Sequence, residues 1–302
     1  MNKTFYSNGK LLISGEYVVL DGALSLAIPT KYGQSLTIES IDENKLYWES
    51  MNHNGTTWFQ CEFEIKNHSV ESFDTNETSQ RLVQILNTVK TLNPMFLEGE
   101  KGYKITTTLD FPTNWGLGTS STLINNIAQW ANIDPYKLLK KTFGGSGYDI
   151  ACAQNDTPII YQIRNNAVVV HAVNFNPIFK NHLYFVHLNK KQNSRDGIKR
   201  YKLNKKNIES LIEMISKLTS KMIKSKTIED FQGLITQHES IISEITNQTT
   251  VRNLYFEDFE GSVKSLGAWG GDFVLAVSKT NPTNYFVKKG FKTVVPYMDM
   301  VR

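Results

Sequence analysis

The sequence predicts an α+β fold, and three features of its layout carry that prediction. Alternating and β-branched segments dominate the first third of the chain, whereas the longest amphipathic stretches, 205–223 and 227–246, stand together in the second half. Strands and helices are therefore grouped rather than interleaved, which favours α+β over a doubly wound parallel sheet. Glycine-rich turns around 116–118, 144–147 and 267–271 punctuate the groups.

Taken in order, residues 11–20 (LLISGEYVVL) and 24–30 are apolar and β-rich, interrupted by Gly15 and Gly22 as strands around tight turns are. Segments 34–41, 45–50 and 57–65 alternate with the period of a half-buried, mostly antiparallel sheet. Leu82, Val83, Ile85, Leu86 and Val89 then form one face of a helix over 79–92, closed by Pro94. A strand at 103–109 leads through a polar glycine loop into a helix from about Ser120, and Asp134 followed by Pro135 marks the N-cap of another. The glycine loop GGSGYDIACA follows, then strands at 157–163, 167–173 and 182–188. Helices at 205–223, 227–246 and 252–266 lead to the turn GAWGGD, a strand at 273–278, a short helix near 283–289 and a final strand at 292–297. The domain boundary is expected near 178, giving 1–178 and 179–302.

Composition excludes several classes. With 302 residues, 40% hydrophobic and 21% charged, the chain carries enough apolar material for a sizeable core and is not a disordered polymer. It holds no apolar run of membrane-spanning length, and its start, MNKTFYSNGK, lacks a signal-peptide core, so a soluble cytoplasmic protein without a membrane partner is expected. Cys61 and Cys152, with no Cys/His cluster, argue against a disulfide framework or a zinc site. The net charge is only 33 − 29 = +4, yet Lys180 to Lys206 holds nine Lys/Arg against one acid, Asp196. Such a patch attracts an anion, and a phosphorylated metabolite suits it better than nucleic acid, because no nucleic-acid-binding signature accompanies it. A solvated basic loop is the plainer alternative.

P-loop, dinucleotide-binding, zincin and α/β-hydrolase motifs are all missing. The central loop, Pro112-Thr-Asn-Trp-Gly116-Leu117-Gly118-Thr119-Ser120-Ser121, still has the parts a phosphate site uses: glycines that turn amides toward an anion, hydroxyls, and a following helix N-terminus. An ordinary helix cap has the same composition. Near the start stands Gly9-Lys10-Leu-Leu-Ile-Ser-Gly15-Glu16-Tyr17, and near the end Gly267-Ala268-Trp269-Gly270-Gly271-Asp272. In order and spacing these three segments, spanning residues 9 to 278, resemble the three motifs of the GHMP kinase superfamily.

The resemblance implies an N-terminal domain like ribosomal protein S5 domain 2, a C-terminal ferredoxin-like domain, and ATP and acceptor between them. It implies that Pro112, Gly116, Leu117, Gly118, Thr119, Ser120 and Ser121 wrap the triphosphate, with Mg2+ on Thr119 or Ser120. Gly267, Ala268, Gly270 and Gly271 would approach the phosphates, and Lys10 would stabilise the transferred phosphoryl group. The segment Ser146-Gly147-Tyr148-Asp149 resembles that of mevalonate and phosphomevalonate kinases, making Asp149 the residue that faces the acceptor; helix capping is its alternative. Glu16, Tyr17, Ser146, Gly147, Ser194 and Arg195 are expected to bind the acceptor, although a structural acid and a surface lysine remain the ordinary readings of Glu16 and Lys10. The ending Gly270-Gly271-Asp272 and the basic stretch favour phosphomevalonate as acceptor, in isoprenoid precursor synthesis, with mevalonate second. The sequence departs from the family in Asn8 before Gly9-Lys10, in Thr119 and Ser121, and in Trp269, an indole that either crowds the nucleotide or stacks beside it. A nucleotide-binding relative without catalysis is the alternative function, and a monomer or a homodimer is equally expected.

Overall fold

The computed structural model describes residues 2–66, 69–99, 101–192 and 194–302. The chain divides into two compact units that interleave along the sequence: unit 1 comprises 1–9, 32–113 and 118–154, and unit 2 comprises 10–31, 114–117 and 155–302. The expected boundary near 178 therefore falls inside unit 2, which gathers residues from both of the expected domains.

The elements of the N-terminal half are β1 (Lys3–Ser14), β2 (Ser25–Ile41), β3 (Lys45–Met51), β4 (Thr57–Ile65), β5 (Val70–Glu71), α1 (Glu77–Leu92), β6 (Gly102–Leu109), α2 (Thr119–Ala131), α3 (Pro135–Thr142) and α4 (Tyr148–Ala153). In unit 1 the strands are ordered β5-β4-β3-β6-β2. All neighbours are antiparallel except β3 and β6, which run parallel with Trp48 opposite Ile105. Alternation along β3 buries Leu46 and Trp48 on one face, and α1, α2 and α3 close that face with Leu82, Ile85, Ile124, Ile127 and Leu138. Asp134 caps α3 as the sequence predicts, accepting the Tyr136 and Lys137 amides.

A buried polar network sets the orientation of α2. Asn126 accepts the Ser7 hydroxyl at 2.7 Å and donates to the Gln34 carbonyl at 2.9 Å. Asn125 donates to Ser7 Oγ at 2.8 Å, and Thr122 donates to Gln34 Oε1 at 2.7 Å. Three polar side chains on consecutive turns are thereby matched to β1 and β2, which prescribes the rotation of the helix more strictly than apolar packing does.

Unit 2 contains β7 (Ile159–Arg164), β8 (Ala167–Ala172), β9 (Leu183–His187), α5 (Ser194–Asn204), α6 (Ile208–Lys224), α7 (Ile228–Thr246), α8 (Val251–Tyr255), β10 (Ser262–Ser265), β11 (Phe273–Val277), α9 (Thr283–Lys288), β12 (Val294–Pro296) and α10 (Tyr297–Met300). The first residues of β2 pair with β7, and β7 pairs with β8. A separate antiparallel sheet is ordered β10-β11-β9-β12, with helices between β9 and β10 and between β11 and β12. That is the split βαβ order of a ferredoxin-like domain, as the resemblance implies. Two stretches differ from expectation. The helix expected over 252–266 stops at Tyr255, because Phe256 and Phe259 turn into the core and 262–265 joins the sheet. The basic segment is not a loop: it holds β9 and α5, whose Gly197 and Tyr201 are buried while Arg195, Lys199, Arg200 and Lys202 are exposed.

Replacing Asn126 by Leu leaves the Ser7 hydroxyl and the Gln34 carbonyl without that partner. At about 1–3 kcal/mol per unmet buried group, Asn126→Leu is expected to lower the unfolding free energy by about 2–5 kcal/mol in denaturant titrations. A loss below about 1 kcal/mol would mean that the network does not set the helix.

Candidate active site

The central glycine loop runs directly into α2. Gly118, at φ 93°, is the N-cap and offers no side chain, and the first helical bond is that of the Thr122 amide to the Gly118 carbonyl. The amides of Thr119, Ser120 and Ser121 precede that bond and point out of the helix end with its partial positive charge. The Ser121 hydroxyl turns back onto the Gly118 carbonyl at 2.8 Å, whereas Ser120 is exposed and Thr119 half-buried. Three outward amides flanked by hydroxyls form a donor set for phosphate oxygens.

Within unit 2 the three sequence motifs meet at one residue. Lys10 donates its amide to the Leu117 carbonyl at 2.9 Å and its ammonium to the Gly116 carbonyl at 3.1 Å. Asp272, which ends the third motif, lies against the other side of Gly116: a Cβ on Gly116 would come within 2.2 Å of Asp272 Cγ. Gly116 is thus glycine both for its φ of 67° and for the room its neighbour needs. Burial raises the Asp272 carboxyl above its ordinary pKa, opposed first by the Lys10 charge. In the same turn a Cβ on Gly271 would meet the Lys190 carbonyl at 2.6 Å, so this position too requires glycine. Gly267 and Gly270 both have positive φ, and Ala268 is buried beside them.

Trp269 neither crowds nor stacks at that turn. It is 2% exposed and packs among Tyr17, Val18, Ala23, Tyr201, Leu211, Ile215 and Ile242, so the indole is part of the core of unit 2. Its amide donates to the Tyr17 hydroxyl at 3.2 Å. Tyr17 in turn stacks on Tyr201, and a Cβ on Gly197 would come within 2.3 Å of its hydroxyl oxygen.

Glu16 and Tyr17, expected at the acceptor, are core residues. Glu16 is 1% exposed and forms an ion pair with Lys264, itself 0% exposed. Lys264 also donates to the Ser265 carbonyl. His238 Nε2 accepts the Gly15 amide at 2.9 Å and lies 3.4 Å from Glu16 Oε2. Because Nε2 uses its lone pair, the ring is neutral, in keeping with burial and the Lys264 charge holding its pKa well down. Glu239 completes the cluster, accepting the Ser265 amide and hydroxyl, and burial pushes its carboxyl up to about 7. Nothing in the local sequence signals this cluster, whose closest pair, Glu16 and Lys264, lies 248 residues apart.

The remaining expected residues are placed as follows. In unit 1, Gly147 at φ 90° is the N-cap of α4, Ser146 is half-buried before it, and Asp149 stands in the first turn rather than at the cap. Pro112 is half-buried. In unit 2, Arg195 is exposed on α5, while Asn193 and the Ser194 side chain lie outside the described residues. Sequence reasoning left Asp272 out of the candidate residues, although the ending Gly270-Gly271-Asp272 named it. It also passed over His187, whose ring hydrogen-bonds the Asn114 carbonyl at 3.0 Å. Among the described residues, no group of three or more His, Cys, Asp or Glu is gathered to hold a metal ion, and no helix is long and apolar enough to cross a membrane. Mg2+ keeps most of its waters and takes few protein ligands besides phosphate oxygens, so the hydroxyls of Thr119 and Ser120 beside outward amides fit a magnesium triphosphate rather than a free cation.

No protein-family model matches the sequence, and no curated protein sequence does. Solved structures do match over nearly the whole chain. The fold is that of the GHMP kinases. A Streptococcus pneumoniae phosphomevalonate kinase in complex with phosphomevalonate and AMPPNP superposes with a TM-score of 0.71 at 15% identity, covering 97% of this chain and 99% of that one. The Methanococcus jannaschii mevalonate kinase gives 0.70 at 16%, covering 96% and 94%. A Lactococcus lactis galactokinase complexed with galactose gives 0.66 at 14%, covering 95% and 88%.

Burial raises the folded pKa of the Glu239 carboxyl to about 7 from the ordinary 4.5, so its contribution to stability is complete below pH 4.5 and is lost as the pH rises through 7. The slope approaches about 1.4 kcal/mol per pH unit. Denaturant titrations at a series of pH values from 5 to 7.5 should show that slope in the native protein and not in Glu239→Gln; equal slopes would refute the assignment.

Proposed function

We propose that this protein is an ATP- and Mg2+-dependent small-molecule kinase of the GHMP type, with phosphomevalonate as its first acceptor and mevalonate as its second. The observation that carries the proposal is the meeting of the three motifs at Gly116, where the Lys10 ammonium, the central glycine turn and the Asp272 end of the third turn come together. The sequence resemblance and the shared fold lend it support, and a phosphomevalonate kinase stands among the structures that match.

In this reading the Thr119, Ser120 and Ser121 amides hold the triphosphate, and the Thr119 and Ser120 hydroxyls hold Mg2+. The metal supplies charge neutralisation across the phosphate oxygens. Lys10 offsets the charge that develops on the transferred phosphoryl group, and Gly267, Ala268, Gly270 and Gly271 leave room for it. Asp149 orients the acceptor or takes its proton, with Ser146 and Gly147 shaping that end of the site, and Ser194 and Arg195 meet the acceptor phosphate. Glu16 and Tyr17 support the first motif from within the core instead of touching the acceptor. With Trp269 placed in that core, its bulk gives no reason to prefer a binder without catalysis.

A coupled ADP-release assay with Mg-ATP against phosphomevalonate, mevalonate, diphosphomevalonate, homoserine and galactose tests the proposal. Turnover is expected on phosphomevalonate, and Lys10→Met should abolish it in a folded protein. Asp149→Asn then separates acceptor types: a hydroxyl acceptor loses the about 10²–10⁴-fold contribution of a general base, whereas a phosphate acceptor, already deprotonated, loses little. Absence of ADP formation with any of the five would contradict the assignment.

A further inference from the structure

Tyr17 is a bulky residue in a backbone conformation that bulky residues avoid. Its φ of 62° and ψ of −48°, with the Val18 amide donating to the Glu16 carbonyl at 2.7 Å, make it the centre of a γ-turn of the rare, strained kind. Such a residue persists only where its surroundings over-determine it. Before it stands Glu16, buried in its ion pair with Lys264, and after it the Val19 amide reaches back to the Gly15 carbonyl at 2.9 Å. The Tyr17 ring is 6% exposed and stacks on Tyr201, with 5.9 Å between centroids and 22° between planes. Tyr201 is fixed in turn by its hydroxyl, which donates to Asp21 Oδ2 at 2.6 Å.

Two segments of unit 2 converge on the phenol oxygen held there. Trp269, in the third glycine turn, donates its amide to that oxygen at 3.2 Å. From α5, Gly197 comes so near that a Cβ on it would lie 2.3 Å from the oxygen and 2.8 Å from ring Cε1. Glycine weakens a helix interior, and Gly197 does not have a positive φ, so the close approach of the phenol is what calls for glycine at this position. The turn itself needs an anchor at Trp269. Gly267 and Gly270, with φ of 62° and 95°, give its backbone a freedom that a hydrogen bond between them takes away. Its far end is fastened separately, where the Asp272 amide donates to the Lys190 carbonyl at 2.7 Å and the Leu188 amide to the Asp272 carbonyl at 2.8 Å.

We propose that Tyr17 is the positioning residue for the third glycine turn: its strained backbone places the phenol oxygen where it holds the Trp269 amide, and α5, lying against the same oxygen through Gly197, sets where that oxygen rests. The first motif and α5 thereby reach the turn through one atom. The catalytic consequence rests on the kinase reading given above; the effect on the turn itself does not.

Tyr17→Phe keeps the ring on Tyr201 and removes the oxygen. Amide hydrogen exchange on the full-length protein without nucleotide, read at Trp269 and referred to Leu275 and Ala276 of the central strand β11, separates a loosened turn from a general loss of stability, which quickens both alike. Exchange at Trp269 is expected to quicken about tenfold more than in β11. Gly197→Ala, which drives a methyl group against the oxygen, should loosen Trp269 in the same way and add less than about twofold to Tyr17→Phe in the double variant, because changes acting through one atom are non-additive. In the coupled assay, Tyr17→Phe should lower kcat about tenfold and leave the Kd for Mg-ATP within about twofold, since the placement of the turn matters most in the transition state. Equal quickening at Trp269 and in β11, effects that multiply in the double variant, or an unchanged kcat would each overturn the proposal. Should Gly197→Ala fail to fold, Tyr17→Phe decides alone. If the native protein forms no ADP, the kinase reading fails, and the exchange measurement still decides the role of Tyr17.

Discussion

The ion pair between Glu16 and Lys264 is the constraint on which unit 2 depends. Both side chains are shut off from water, and burying one without the other would leave an uncompensated charge, a loss of about 3–5 kcal/mol. Each belongs to a segment that leads to the proposed site: Glu16 follows Gly15 in the first motif, and Lys264 lies in the strand that runs into the third. His238 holds the Gly15 amide, and Glu239 holds the Ser265 amide and hydroxyl, so α7 grips both segments from neighbouring positions. The first and third motifs are thus tied together by desolvated charge within unit 2.

On that foundation the central loop takes up its shape. Lys10 bonds it twice, Asp272 abuts Gly116, and Trp115 rests edge-on against Phe273. In unit 1, α2 begins with amides that no side chain caps, while Asn125, Asn126 and Thr122 hold the helix by polar contacts that admit one orientation. Helix N-termini are usually capped by their own sequence. This one is left open, in a helix whose polar contacts fix its orientation, and the loop before it has glycine at 116 and 118, each with positive φ.

Much of this was legible in the sequence because it is local. The Asp134-Pro135 cap, the alternation of 57–65 and the periodicity around Leu82 to Val89 each follow from residues within a few turns of one another. The glycine turns were equally legible, since positive φ selects residue type directly. Long-range pairing leaves no such trace. Lys264 falls within the stretch 252–266 expected to be helical, and only its partner 248 residues away makes it a core residue of a strand. The family resemblance places Glu16 at the acceptor, and the same distant partner makes it a core residue instead. Trp269 breaks the glycine pattern of its turn, yet the cavity it fills is built by α6, α7 and the segment around Val18, which no local motif displays. The interleaving of the two units was hidden too, because strands β1 and β2 carry the chain between them without any linker composition.

The central claim is that the open end of α2 receives a magnesium nucleotide triphosphate. The most direct measurement is a TROSY titration of the isotopically labelled protein with AMPPNP in the presence of Mg2+. The amide resonances of Thr119, Ser120 and Ser121 should be among those that shift most, and should shift far less when Mg2+ is withheld. Saturation by the nucleotide with those three resonances unmoved would contradict the account.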